Sequence, residues 1–209
     1  NYGYFLRNGS TAFQADQTEL ILRMALTEFK KNEDWFGYYT TLCNLGKCEC
    51  KLGRLKEADK NLEEAYDRLK TYGFHHLHIV LTNLGISKLL SGNGQEAEMY
   101  LNKSFLFSSN AMPKIYNQIN LALVKLYQKR NTEAYDMLLS LKPEVDKFSF
   151  DRVKQKYYLN LSAAAYASNQ ESDSILGFLM ISEQHPDRNS EKFTMERISL
   201  IRKNLTEKI

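Results

Sequence analysis

The sequence predicts an all-α fold built from repeated pairs of antiparallel helices. A triplet of asparagine, leucine and a small residue recurs four times, beginning at Asn44, Asn83, Asn120 and Asn160 in steps of 39, 37 and 40 residues. Apolar residues within each copy are spaced by three and four, which is helical spacing. A turn signal interrupts each copy near its middle. Several positions that keep step across three or more copies indicate a repeat array.

Each unit is expected to contain two helices joined by a tight turn. A first helix of roughly 15 residues should end at the turn signal, and a second helix should begin just beyond it. Glycine tolerates a positive φ and therefore suits the end of a helix. The turn signals lie at Gly53, at Gly92 to Gly94, at Arg130 and Asn131, and at Asn169 and Gln170.

Small residues predict that the two helices of a unit approach closely. They stand on the first helix at Gly46, Gly85, Ala122 and Ser162, and on the second at Ala58, Ala97, Ala134 and Ser174. One turn further along the second helix, large apolar residues recur in the same register at Leu62, Leu101, Leu138 and Phe178. A large side chain in place of Ala97 should overpack this contact.

These positions resemble the tetratricopeptide repeat. The first unit carries Leu42, Leu45, Gly46, Gly53, Ala58 and Leu62, and the second carries Leu81, Leu84, Gly85, Gly92, Ala97 and Leu101. The resemblance covers about residues 39–185 and implies a right-handed α-α superhelix. The chain departs from the family in its period, which exceeds the usual 34 residues. It also departs at the usually aromatic first-helix position, which holds Glu49, Lys88 and Lys125.

Three segments follow from this assignment. Residues 1–34 are expected to be the remnant of an earlier helix pair, residues 35–189 an array of four helix pairs, and residues 190–209 a C-terminal capping helix. The array needs such a cap to cover its last apolar face. Because position 1 is asparagine, we expect the chain to be a piece of a longer protein.

The asparagines Asn44, Asn83, Asn120 and Asn160 are the first candidates for binding. A carboxamide offers one acceptor and two N–H hydrogens, so one per unit could pair with the backbone of an extended peptide. Resemblance to tetratricopeptide arrays that hold peptides through asparagine supports this interpretation. The alternative is that these side chains only bond the neighbouring helix.

The resemblance also implies a concave groove along the first helices. Its predicted lining residues, besides the asparagines, are Lys47, Lys51, Ile79, Ile86, Tyr116, Leu123 and Tyr127. An apolar middle with lysines at the edges suits an amphipathic helix or a peptide with aliphatic anchors. The alternative is that the helices are rotated about Lys88 and Lys125, which would make Ile86, Leu123 and Tyr127 core residues.

Composition and motifs argue against several functional classes. A formal charge of +3 spread over 28 basic and 25 acidic residues provides no basic stripe for nucleic acid. No apolar run approaches the length that spans a membrane. Phosphate-binding and nucleophile motifs are missing, so we expect no enzyme and no cofactor. The clustered Cys43, Cys48 and Cys50, with His75 and His78, complete no metal set, and three unpaired thiols favour a cytoplasmic protein.

The sequence therefore predicts a sensor or adaptor module of a larger, bacterial regulatory protein, binding a protein or peptide partner in its groove. The longer period is similar to arrays in bacterial regulators and in signal-transduction ATPase sensors. The alternative is a self-associating or subunit-bridging scaffold, such as a homo-oligomer, that uses the C-terminal helix or the convex surface, with Phe148, Phe150, Phe178 and Met180 as interface residues. A helical-repeat RNA binder is a third interpretation, against which the near-neutral charge argues.

Overall fold

The computed structural model describes residues 12–72, 77–149 and 151–184, together with residues 199, 201 and 203. Across these residues the chain is helical and contains no strand, which confirms the all-α fold class. The helices are α1 (Ala12–Lys31), α2 (Trp35–Leu52), α3 (Leu55–Thr71), α4 (Leu77–Leu90), α5 (Gly94–Phe107), α6 (Ala111–Tyr127), α7 (Asn131–Val145), α8 (Asp151–Ala167) and α9 (Ser172–Gln184).

The described residues fall into two compact units, which divide between Asn117 and Gln118. In the first unit α2 packs against α1 and α3, α4 packs against α3 and α5, and α2 also contacts α4. Its core contains Leu45, Leu62, Leu69, Leu81 and Leu84, all at most 1% exposed. In the second unit α8 packs against α7 and α9. The order agrees with first helices that alternate with second helices along the chain.

The turn inside each pair has one repeated geometry. A residue with positive φ ends the first helix at Gly53, Gly92, Lys129 and Asn169, in the same steps as the asparagine triplets. The following N–H donates to the carbonyl five residues earlier, as Arg54 does to Glu49 at 2.9 Å. This bond satisfies a carbonyl that the helix end would leave unpaired. The third turn was expected at Arg130 and Asn131, whereas its positive-φ residue is Lys129 and Asn131 already begins α7.

The close approach predicted from small residues is present in the first unit. A Cβ atom on Gly46 would lie 2.6 Å from Leu62 Cγ, and one on Gly85 would lie 2.6 Å from Leu101 Cγ. Ala58 and Ala97 on the facing helices are fully buried. Glycine is therefore required here for space rather than for backbone conformation.

The register predicted for the last helix is wrong by one residue. Ser174 is exposed and Phe178 is only half-buried, whereas Ile175 and Leu179 are 2% and 0% exposed. The turn before α9 contains one more residue than the turn before α7, so the buried positions shift by one. Sequence similarity is weakest in this unit, which is why the insertion was not visible.

The predicted three-segment division stays a prediction. Helix α1 occupies most of residues 1–34, and the four pairs α2–α3 to α8–α9 lie within residues 35–189. Of the predicted cap, only residues 199, 201 and 203 are described. Ile201 is buried and belongs to an apolar cluster with Leu159, Ile175 and Leu179. The remaining cap positions lie outside the described residues.

Candidate functional site

Helix α2 leaves one line of residues open to solvent while most of its surface is buried. Asn44 and Lys47 are exposed, and Thr40 and Lys51 are half-buried, whereas residues between them, such as Leu45, are buried. The positions 40, 44, 47 and 51 follow helical spacing and therefore lie along one side of the helix. This side faces away from α1 and α3.

Helix α4 repeats this line 39 residues later. Ile79 is 43% exposed, and Ile86 and Leu90 are half-buried. Asn83 corresponds to Asn44 but is only 6% exposed. Its Nδ2 donates to the sulfur of Cys43 at 3.5 Å, which joins the two first helices directly. We call the surface formed by Asn44, Lys47, Lys51, Ile79, Asn83 and Ile86 the α2–α4 stripe.

The two carboxamides of the stripe keep most of their hydrogen-bonding capacity. Asn44 forms no hydrogen bond among the described residues, and Asn83 forms only its long bond to sulfur. A thiol is a weak acceptor, so this bond positions the Asn83 carboxamide without saturating it. The arrangement offers one donor–acceptor group on each helix.

The asparagines of the second unit differ from Asn44 in being buried and from Asn83 in their interactions. Asn120 is 4% exposed, and its oxygen accepts a hydrogen bond from Lys156 Nζ at 3.1 Å. Asn160 is 1% exposed and has interactions of its own. The four asparagines therefore do not present equivalent free carboxamides. Their role as a four-rung peptide ladder stays a prediction.

The other predicted lining residues of the second half also differ from one another. Leu123 is 7% exposed and belongs to the core, as the rotated-helix interpretation required for that residue. Tyr116 and Tyr127 are half-buried, like Ile86 in the first unit. The remaining question is therefore whether the helices are rotated at Lys88 and Lys125.

The charged residues at the usually aromatic position lie against neighbouring helices. Lys88 stays in the interface with α3, where its Nζ lies 2.9 Å from both Asp59 Oδ2 and Glu63 Oε1. Burial acts to lower the pKa of Lys88, but the hydrogen bonds to these two carboxylates outweigh it, so the pKa is raised. Lys125 likewise pairs with Glu133 at 3.2 Å.

Glu49 occupies the same position with the opposite charge. It is 1% exposed, and its carboxylate accepts hydrogen bonds from Asn61 at 2.7 Å and Arg23 at 3.3 Å. Burial raises the pKa of Glu49, and both partners act against that rise. Glu49 is thus held by side chains of α1 and α3, and Lys88 is held by side chains of α3, so both lie away from the stripe. The stripe consequently faces outward.

The three cysteines of α2 lie buried in the helix. Cys43, Cys48 and Cys50 are buried, free thiols, and burial raises the pKa of Cys43 and of Cys50 to about 11. In the part of the chain that the structure describes, no three His, Cys, Asp or Glu side chains are grouped to hold a metal ion. His75 lies outside the described residues. None of the described helices combines the length and apolarity that a membrane span requires.

The described residues proposed for self-association differ in their exposure. Phe178 stacks on Tyr158 with ring centroids 6.4 Å apart, and Phe148 is half-buried. Met180 is 56% exposed, and Phe150 lies outside the described residues. Self-association through these residues stays a prediction.

A cluster of aromatic rings that the sequence analysis did not identify joins α2 to the end of α3. Tyr39 lies 6.5 Å from both Trp35 and Tyr72, and Phe36 lies 6.3 Å from Tyr72, between ring centroids. Trp35, Phe36 and Tyr72 remain 40% to 51% exposed. The only available signal was the run of aromatic residues at positions 35–39.

Comparison with known proteins confirms the tetratricopeptide resemblance. The family model of the tetratricopeptide repeat matches residues 37–105, within the stretch that holds α2 to α5. No curated protein sequence matches the chain significantly. The supporting evidence beyond the family model therefore comes from solved structures.

Two solved structures share the fold. One is the apo form of the quorum sensor NprR from B. thuringiensis, with a TM-score of 0.66 and 18% sequence identity. The match covers 93% of this chain but only 60% of the NprR chain. A kinesin light chain of Podospora anserina with nearly identical TPR-like repeats has a TM-score of 0.61 at 13% identity, covering 98% of this chain and 94% of that one. These findings support a protein-interaction repeat module.

Proposed function

We propose that this chain is a protein-interaction module that binds an extended peptide, or an extended segment of a protein, along the α2–α4 stripe. The observation that carries the proposal is the pair of unsaturated carboxamides, Asn44 and Asn83, at equivalent positions of two adjacent first helices. An extended peptide backbone presents alternating donors and acceptors that such groups can satisfy. The proposed binding site thus uses the first helices of the first two helix pairs rather than those of all four.

The assignment to a regulatory protein rests on the likeness of fold. NprR is a quorum sensor, and a repeat module that captures a peptide is suited to a sensory role. In this proposal, binding on α2 and α4 is communicated to another part of a longer protein. The partner in this proposal is a protein or a peptide, and no catalysed reaction is proposed.

The test is peptide selection on the purified chain, followed by measurement of the selected peptides by fluorescence anisotropy. The Asn44→Ala, Asn83→Ala double variant should lose about tenfold or more in affinity, since each lost hydrogen bond costs roughly 1 kcal/mol. Asn102→Ala, at an exposed position of α5, is the matched control and should bind normally. The proposal fails if selection yields no binding peptides, or if a double variant with an unchanged melting temperature binds them normally.

Self-association is a second candidate, favoured by one apolar pair at the end of α5. Leu106 is 81% exposed and Phe107 is 50% exposed, and burying two such side chains against a second copy is favourable. Sedimentation equilibrium of the wild type and of Leu106→Glu tests this alternative. A wild-type dimer that becomes monomeric in the variant would favour it, and a monomeric wild type would exclude it.

A further inference from the structure

The α2–α4 stripe changes its chemistry from one helix to the next. Its α2 side carries Lys47 and Lys51 beside Asn44, and its α4 side carries Ile79 and Ile86 beside Asn83. In the 39-residue register, Lys47 corresponds to Ile86. A ligand that crosses from α2 to α4 therefore meets a basic surface first and an aliphatic surface second.

Lys47 presents its positive charge to solvent. Lys47 is exposed and forms no ion pair with any described residue, whereas Lys88 Nζ lies 2.9 to 3.4 Å from three carboxylates, those of Asp59, Glu63 and Glu96. Glu49 is the one acidic residue of α2, and it is buried against Asn61 on α3. Helix α4 contains no acidic residue. The stripe therefore attracts an anionic group at Lys47 without a competing carboxylate beside it.

The aliphatic side has the properties of an anchor site. Ile79 is 43% exposed, and Ile86 and Leu90 are half-buried on the same side of α4. Exposed isoleucine is costly in water, and a branched apolar side chain from a ligand would bury it. No charged residue interrupts the line from Ile79 to Leu90, since Lys88 points to α3.

The spacing between the two surfaces follows from helix packing. Packed helices lie about 8–10 Å apart, and an extended peptide rises about 3.3 Å per residue. A side chain over Lys47 and a side chain over Ile86 are therefore separated by about three residues of an extended ligand. The carboxamides of Asn44 and Asn83 lie one helical turn away and can contact the backbone between them.

We infer that the ligand of the α2–α4 stripe is an extended peptide segment in which an acidic side chain stands about three residues from a branched aliphatic side chain. The inference rests on the proposed function and adds the ligand's chemical class. Charge complementarity at Lys47 selects the acidic group, and apolar burial at Ile79 and Ile86 selects the aliphatic group.

A random nine-residue peptide library displayed on phage is the probe, and the enriched peptides are resynthesised with a fluorescent label. We expect enrichment of aspartate or glutamate about three positions from isoleucine, leucine or valine. Replacing the acidic residue by lysine should weaken binding about tenfold, as should Ile86→Asp in the protein. Lys47→Glu should reverse the preference, so that the lysine-substituted peptide binds better than the acidic one.

The control is Lys60→Glu, which reverses an exposed lysine on α3 and should leave the preference unchanged. Circular dichroism melts verify that each variant folds. Peptides that are selected, depend on Asn44 and Asn83, and ignore Lys47→Glu would overturn this inference while leaving the proposed function intact. A library that yields no binders would refute both the proposed function and this inference. If an unrelated single-stranded oligonucleotide binds as tightly and also depends on Lys47, the stripe binds polyanions and the inference of an acidic peptide is wrong.

Discussion

Replacing Gly85 with alanine should destabilise the protein, although alanine forms helices better than glycine. The added Cβ would lie 2.6 Å from Leu101 Cγ, 2.9 Å from Leu101 Cδ2 and 3.3 Å from the Ala97 carbonyl oxygen. Ordinary contacts between carbon atoms are about 3.5–4.0 Å, so Leu101 would have to retreat by about 1 Å. Leu101 is fully buried and has little space into which to move.

The net effect is a balance of two terms. Overpacking of a filled core costs roughly 1–3 kcal/mol, and replacing glycine by alanine inside a helix contributes about 1 kcal/mol of stabilisation. Gly177 in α9 isolates the second term, because a Cβ there would meet nothing within 4 Å. Gly177→Ala should therefore stabilise by up to about 1 kcal/mol. The difference between the two variants, roughly 1–3 kcal/mol, measures the overpacking alone.

Urea unfolding followed by circular dichroism is the appropriate assay. Because repeat arrays can unfold in parts, the transition slope of each variant must match that of the parent before the midpoints are compared. Gly46→Ala should behave like Gly85→Ala, since its Cβ would lie 2.6 Å from Leu62 Cγ. If Gly85→Ala is as stable as Gly177→Ala, the close contact between α4 and α5 does not exist in solution.

Three further predictions test other parts of the structure. Lys88→Met should destabilise by roughly 1–3 kcal/mol, because it leaves carboxylates unpaired in a helix interface, whereas Lys142→Met, at a 39% exposed pair, should cost less than about 1 kcal/mol; equal thermal shifts would contradict the interface role. Cys43 and Cys50 should resist Ellman's reagent at about pH 8 until urea unfolds the chain, since only the thiolate reacts; rapid labelling of the native protein would contradict their burial. Their pKa rises on folding from 9.0 to about 11, so the stability that these thiols contribute is present below pH 9 and falls as pH rises toward 11. Asp34→Ala should cost about 1 kcal/mol in thermal unfolding, because Asp34 accepts a hydrogen bond from the Gly37 N–H at 2.8 Å; an unchanged melt would show that this cap is dispensable.

The repeat was predictable because its strongest constraints act between nearby residues. Helical spacing, a glycine at a positive-φ turn and a small residue at a close contact each leave a mark in the sequence. Where glycine is replaced, as at Lys129 with a φ of 60°, that mark is weaker, and the turn was expected one residue too late. The extra residue before α9 was missed for the same reason, since the last unit lacks glycine at its turn.

The hydrogen-bond partner of each asparagine carboxamide was not predictable, because that partner lies in the neighbouring helix pair. Asn120 is engaged by Lys156, 36 positions later, whereas Asn83 meets only the sulfur of Cys43, 40 positions earlier. Identical residues at equivalent repeat positions thus acquire different partners. Sequence periodicity identifies which positions are equivalent but does not determine what lies opposite them.

The charged residues at the usually aromatic position connect the architecture to the proposed binding surface. An unpaired Lys88 would favour rotation of α4 toward solvent, and that rotation would turn Ile86 into the core. Its carboxylate partners Asp59 and Glu63 lie four positions apart on α3, so they hold Lys88 over one helical turn. Glu49 in α2 instead accepts hydrogen bonds from the Asn61 carboxamide and the Arg23 guanidinium. These contacts hold Lys88 and Glu49 on the side of α4 and α2 that is opposite the stripe, and they therefore help to fix the chemistry that a ligand meets.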